Sequence, residues 1–313
     1  MLYMLHSIQV VGGSVLTLFL LMAVGFFFVK KGMLTKDALS QMSKLLLYVV
    51  TPCIMINTFV AEECNGKTVR TLLISGGVLV GTYVLNMVLI QPWFRRASAD
   101  DRGVLRFGAI YGNTGFMGIP LIQAVLGSVG MVPTVISLAI FNISTWTHGY
   151  VLIGGRRQLS AKRVLLNPGV IGFVIAIVLF AFGVKLPGPV ASTVSFLGSL
   201  NTPLAMVIIG GQMAAVDFRE LFRDRRLYAV SALKLLAIPA ITMLVMLPFH
   251  LDPVIFTAVT ILAACPTAGA TSLFCQLSGK DPSLAARLVT VSTLLSIITL
   301  PLISAVAGVI SGM

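Results

Sequence analysis

The sequence predicts an all-α membrane protein: about ten spanning helices in two inverted repeats of five, with the fourth and ninth helices broken. Three observations lead there. The 313-residue chain is 57% hydrophobic and only 10% charged, with a mean hydropathy of +1.00, whereas a soluble domain carries about 25% charged residues. Its basic residues fall mostly into alternate connections between apolar segments. Two apolar segments, one near the end of each half, are interrupted by residues that break helices.

Apolar runs bounded by charge, proline or glycine place spans near 8–29, 37–59, 70–91, 104–126, 130–153, 168–184, 190–215, 228–248, 253–276 and 283–310. The first has no basic leader ahead of it and ends in Lys30-Lys31, so it reads as a span rather than a cleaved signal. The division between the fourth and fifth falls at a short hinge, Gly127 to Gly130.

The net charge is +12, from 22 Lys plus Arg against 10 Asp plus Glu. In a soluble protein that balance would suggest nucleic acid; here it sets orientation, and no nucleic-acid partner is expected. One set of alternate connections holds Lys30, Lys31, Lys36 and Lys44, then Arg95, Arg96, Arg102 and Arg106, then Arg156, Arg157, Lys162 and Arg163. Arg219, Arg223, Arg225 and Arg226 follow, and Lys280 and Arg287 complete the set. The intervening connections hold Lys67, Arg70 and Lys185 beside Glu62, Glu63 and Asp252. The bias predicts that the first set is cytoplasmic and that both termini lie outside. Arg106 and Lys234, near span ends, are expected to snorkel to the cytoplasmic surface.

Five spans per half is an odd number, so a duplicated unit, 1–155 and 156–313, must insert upside down the second time. Thr51-Pro52-Cys53-Ile54-Met55 in the second span resembles Thr202-Pro203-Leu204-Ala205-Met206 in the seventh, at an offset that also pairs Gly32 with Gly183.

The first interruption runs Gly112-Asn113-Thr114-Gly115 to Gly118-Ile119-Pro120, and the second is Cys265-Pro266-Thr267-Ala268-Gly269-Ala270. Irregular backbone at membrane depth survives only where it is buried in protein or lines a polar cavity. Asn113, Thr114 and Gly115 would free backbone groups, Pro120 removes another donor, and half-helix N-termini favour an anion. Asn113 both donates and accepts, which suits a carboxylate. The candidate substrate site is therefore Asn113, Thr114, Gly115 and Pro120 with Pro266, Thr267 and Thr271. Close helix packing by small residues is the competing explanation for each stretch. Asn142, Asn201 and Gln212 contact substrate or bridge helices; Asn142 joins the candidate set because its span follows the first break. His148 is a candidate proton relay, or a structural histidine beside Trp146.

No Asp or Glu falls in the middle of a predicted span, which argues against a cation site on paired carboxylates. Cys53, Cys64, Cys265 and Cys275 show no metal-ligand spacing and no disulfide framework. No cofactor, metal or enzymatic activity is expected: no nucleophile–base pair or His-Glu-x-x-His motif is present.

Gly112 through Leu121 resembles the fourth-span signature of the auxin efflux carrier family; Asn167-Pro168, Asn201-Thr202-Pro203 and Pro266-Thr267-Ala268 resemble it too. The resemblance covers essentially the whole chain. It implies helices 4 and 9 that cross, a scaffold domain of helices 1, 2, 6 and 7, and a transport domain of helices 3–5 and 8–10. It implies a carrier of small organic anions, such as malate, malonate or auxin-like weak acids, moving by an elevator-type shift. A bacterial-type member in the inner membrane fits best, because the long insert of many plant members is replaced by a short connection near Gly154 to Leu166. A homodimer is also implied by family analogy. The alternatives are a sodium-coupled symporter of the same fold and a passive anion channel.

Overall fold

The computed structural model describes residues 2–155 and 161–312. Arg156 and Arg157, and the Arg163 side chain, which contribute to the cationic bias, lie outside the described residues. The chain is helical throughout, and among the described residues its one β-type contact is a single bridge.

The helices, in chain order, are α1 (Leu2–Lys30), α2 (Lys36–Ala61), α3 (Gly66–Ile90) and α4 (Ala99–Ile110). Then come α5 (114–126), α6 (131–154), α7 (Pro168–Ala181) and α8 (Gly188–Ala214). The last four are α9 (Arg225–Phe249), α10 (Pro253–Ala264), α11 (Ala270–Leu277) and α12 (Ser283–Ser311). Among the described residues, seven stretches are long and apolar enough to cross a membrane, and α7 and α10 are shorter apolar helices. This is a multi-pass membrane protein. One of the seven, Thr114–Gly154, has 41 residues; it doubles back at Gly127, whose φ of 61° suits glycine, so that α5 and α6 pack on each other.

Helix starts follow local chemistry. Thr35, Asn65, Ser98, Asn167 and Asp252 each accept a backbone N–H in the first turn of the helix they precede. Three prolines sit one or two residues beyond a π-helical turn: Pro52 after Leu46–Val50, Pro120 after Thr114–Gly118 and Pro239 after Leu233–Ala237. A proline ring clashes with the carbonyl four residues back, and a widened turn relieves the clash without ending the helix.

Packing depends on small residues. A Cβ on Gly25 would run into the Val207 carbonyl, and one on Gly210 into the Met22 carbonyl, so α1 and α8 touch backbone to backbone. A Cβ on Gly172 would lie 2.7 Å from Pro52 Cα, which brings α7 onto α2. Elsewhere α3 packs on α6, α9 on α10, and α10 on α12. Large apolar side chains such as Leu73, Phe182 and Phe196 face outward, as a lipid-facing surface requires.

At one end, connections that share the sequence's cationic bias are tied together. Arg226 pairs with Asp101 and Asp224, both at 2.7 Å; Lys280 pairs with Asp100 at 2.6 Å and Arg287 with Glu220 at 2.8 Å. These pairs join the starts of α4, α9 and α12 with the connection between α8 and α9. The Arg226 guanidinium hydrogen-bonded to Asp224 holds that carboxyl below the usual carboxylate range.

Gly210→Val is expected to cost about 1–3 kcal/mol through overpacking, read as a melting temperature several degrees below wild type in detergent. Because the folded pKa of Asp224 is depressed, its contribution is present above the unfolded value and fades as pH falls through the folded one. The stability gap between wild type and Asp224→Asn should therefore exist at pH 7 and close well below about pH 4, measured by thermal unfolding across pH.

Candidate functional site

Both interruptions are true breaks, and they meet. α4 ends at Ile110, α10 ends at Ala264, and the residues just beyond form an antiparallel bridge between Gly112 and Thr267. The Asn113 amide donates to the Pro266 carbonyl at 2.7 Å, and the Ala268 amide donates to the Tyr111 carbonyl at 3.0 Å. Thr267 adds a second tie: its Oγ1 donates to the Gly108 carbonyl at 2.9 Å, and its amide donates to Ser292 Oγ at 3.1 Å. Each break thus satisfies backbone groups that the other leaves open.

This corrects one sequence expectation. The amides of Asn113 and Thr114 are not free, since Thr114 donates to the Gly112 carbonyl at 2.8 Å. Within α5 the open donors begin one residue later. Among the described residues, the amides of Gly115, Phe116 and Ala270, in the first turns of α5 and α11, meet no backbone acceptor. The buried Nδ2 of Asn113 also lacks a partner there, whereas the Thr114 hydroxyl lies beside the Tyr83 hydroxyl. The first turn of α5 therefore presents unpaired donors with the dipole's positive end behind them.

The other candidates divide. Gly115 belongs to the site: its carbonyl accepts from Asn201 Nδ2 at 3.1 Å, tying α8 to the first break. Gln212, further along α8, approaches the second break, its Oε1 3.7 Å from where a Cβ on Gly269 would stand. Thr271 Oγ1 donates to the Ala268 carbonyl at 2.7 Å and so folds the break back on itself. Pro120 is half-buried in the body of α5, past the π-helical turn. Asn142 is turned elsewhere: its Nδ2 donates to the Leu138 carbonyl at 2.8 Å, and its amide packs on Gly169 at the start of α7. His148 Nδ1 is 2.9 Å from the Tyr111 hydroxyl, which also bonds the Ser144 carbonyl at 3.0 Å. Tyr111 therefore links that histidine to the break.

Lys234 overturns the surface expectation. It lies about 13 Å along α9 from Arg225, at 1.5 Å per residue, too deep for its side chain to reach the helix end. It is 2% exposed, and its Nζ donates to the Ala263 carbonyl at 3.0 Å. Among the described residues it is the one buried residue with a formal charge. A Cβ on Gly112 would stand 2.9 Å from both Cε and Nζ of Lys234 and 3.0 Å from the Cys265 carbonyl, so any larger residue must shift one of them. A cavity of about 20 Å³ opens beside it, lined by Thr82, Tyr83, Asn86, Thr114, Ser137 and Lys234 among others, with room for about one water molecule. The buried Asn86 Oδ1 has no partner there, and the Ser137 hydroxyl lies beside the Tyr83 hydroxyl. Arg106, by contrast, keeps near its end of the fold, its Nε donating to the Trp93 carbonyl at 3.1 Å.

The model of the membrane transport protein family matches residues 10–163 and 157–304. The chain belongs to this family. The match agrees with the resemblance to auxin efflux carriers noted from Gly112–Leu121. An uncharacterized transporter of Methanothermobacter thermautotrophicus is 24% identical over 299 residues, covering 94% of this chain and 97% of the relative. The uncharacterized transporter YfdV of Escherichia coli is 24% identical over 270 residues, 82% of this chain and 84% of that one. A Rhizobium meliloti protein named as a candidate malonate transporter is 22% identical over 301 residues, with 92% of each covered.

Gly112→Ala should lower stability by about 1–3 kcal/mol, because the methyl group must displace Lys234 or part the bridge at the Cys265 carbonyl. Thermal unfolding of the purified variant is the check.

Proposed function

We propose that this family member is a secondary carrier of small organic anions, malate, malonate or auxin-like weak acids, whose carboxylate docks at the crossing of the two breaks. The observation that carries the reading is the pair of half-helix first turns beside the bridge. Gly115, Phe116, Ala270 and Asn113 Nδ2 there offer donors without protein acceptors. A carboxylate accepts several such bonds, and half-helix N-termini stabilise its charge. The malonate named for the Rhizobium meliloti relative is of this chemical class.

In this reading the chain crosses the inner membrane ten times, α4 with α5 and α10 with α11 each making one broken span, and both termini lie outside. Two inverted repeats, 1–155 and 156–313, then supply one break each. Helices α1, α2, α7 and α8 form a scaffold, supported by the packing of α1 on α8 and α2 on α7. The broken spans with α3, α6, α9 and α12 form the moving part, and an elevator-like shift past α8 exposes the site to each side. Asn201 and Gln212 of α8 then mark the track along which the crossing slides. A homodimer through the scaffold completes the proposal.

Labelled malonate or malate should enter proteoliposomes saturably and be accelerated by counterflow. Asn113→Ala should cut that flux roughly 10–100-fold, the loss of one hydrogen bond to a charged group. Folded protein that moves no carboxylate, or moves it without saturation as a channel would, overturns the proposal.

A further inference from the structure

We propose that Lys234 is a built-in counter-ion: its ammonium fills a monovalent-cation cradle formed where the C-terminal ends of α4 and α10 converge, in place of a dissociable coupling ion. This deepens the carrier reading above by assigning the charge partner of the same crossing.

A lysine ammonium inside an apolar body is costly unless it is paired. Every Asp and Glu of this chain is at least partly exposed, and none reaches Lys234. What reaches it is backbone. Nζ donates to the Ala263 carbonyl, in the last turn of α10, and Cε and Nζ lie against Gly112, two residues past the end of α4. A helix C-terminus carries about half a negative charge on its unpaired carbonyls. Two of them brought together supply about one, which a single ammonium balances.

The local fold is shaped for this guest. The π-helical turn Leu233–Ala237 sets Lys234 in the widened part of α9. Gly112 leaves the space its terminus occupies. The small cavity beside Nζ is edged by Asn86, whose buried Oδ1 has no partner among the described residues, and by the Thr114 and Ser137 hydroxyls, which lie beside the Tyr83 hydroxyl. Oxygen donors around a compact cation, without a carboxylate, describe a site for a monovalent ion that the chain has filled with its own side chain. Lys234→Ala should empty the cradle and turn it into a binding site for a free monovalent cation, with small alkylammonium ions the best match in shape and hydrogen bonding.

The test reads thermal unfolding of purified protein, so it needs no transported substrate. Wild type should melt at the same temperature in sodium, potassium, lithium or bulky N-methyl-D-glucammonium chloride at equal ionic strength. Lys234→Ala should melt lower, and methylammonium or ethylammonium, but not N-methyl-D-glucammonium, should restore several degrees in a saturable way. Folded Lys234→Ala that gains nothing from any small cation overturns the proposal. So does stabilisation of wild type by one alkali ion over the bulky cation, which would mean that a dissociable ion already occupies the crossing. If Lys234→Ala does not fold, the wild-type comparison and the isosteric Lys234→Met decide: Lys234→Met as stable as wild type shows that no charge is needed there. In proteoliposomes, carboxylate flux by wild type should be unchanged when sodium is replaced. A sodium-dependent flux counts against the lysine, whereas absence of any carboxylate flux counts against the carrier reading and leaves the melting results standing.

Discussion

An interrupted helix inside an apolar body leaves backbone amides and carbonyls without partners, and each costs several kcal/mol if it stays that way. This protein meets that constraint by placing two interruptions against each other. Asn113 and Pro266, and Ala268 and Tyr111, exchange hydrogen bonds across the Gly112–Thr267 bridge. The rest of the architecture serves that contact. Glycines let α8 lie tight on α1, Asn201 of α8 holds the Gly115 carbonyl, and Ser292 of α12 holds the Thr267 amide.

The bridge also sorts the surrounding charge. Helix ends that finish at the crossing bring carbonyls and hold Lys234; first turns that begin there bring amides and suit an anion. Carboxylates are kept away from the crossing, in the connections and first helical turns, where they form ion pairs such as Arg226–Asp101. Tyr111 extends the contact sideways to His148, so the one histidine close to the crossing is held by the same residue whose carbonyl closes the bridge.

Some of this was legible in the residues. Both breaks were visible because Gly-Asn-Thr-Gly and Pro-Thr-Ala-Gly cannot continue a helix, whatever surrounds them. The helix that follows each break, the doubling back at Gly127 and the joining of basic connections at one end agree with the pattern of hydropathy and charge. Lys234 was not legible. A lone lysine several residues inside a span reads as a snorkelling side chain, and a π-helical turn alters which face it occupies without any obvious mark in the sequence. Asn142 shows what a local pattern omits: a polar side chain in the span after the break looks like a ligand contact, and the structure adds that its amide donates to a carbonyl one turn back.

Sequence by itself determined a many-times-spanning helical chain, its two weak points and the connections in which cations collect. Those follow from the cost of charge and of unpaired backbone in an apolar medium, which acts on each segment separately. Tertiary structure alone decided that the weak points pair, that two helix ends close on Lys234, and which amides stay open at Gly115, Phe116 and Ala270. The pairing depends on residues about 150 positions apart coming within hydrogen-bond reach, the hold on Lys234 on a contact from α9 to α10, and no local pattern encodes such meetings.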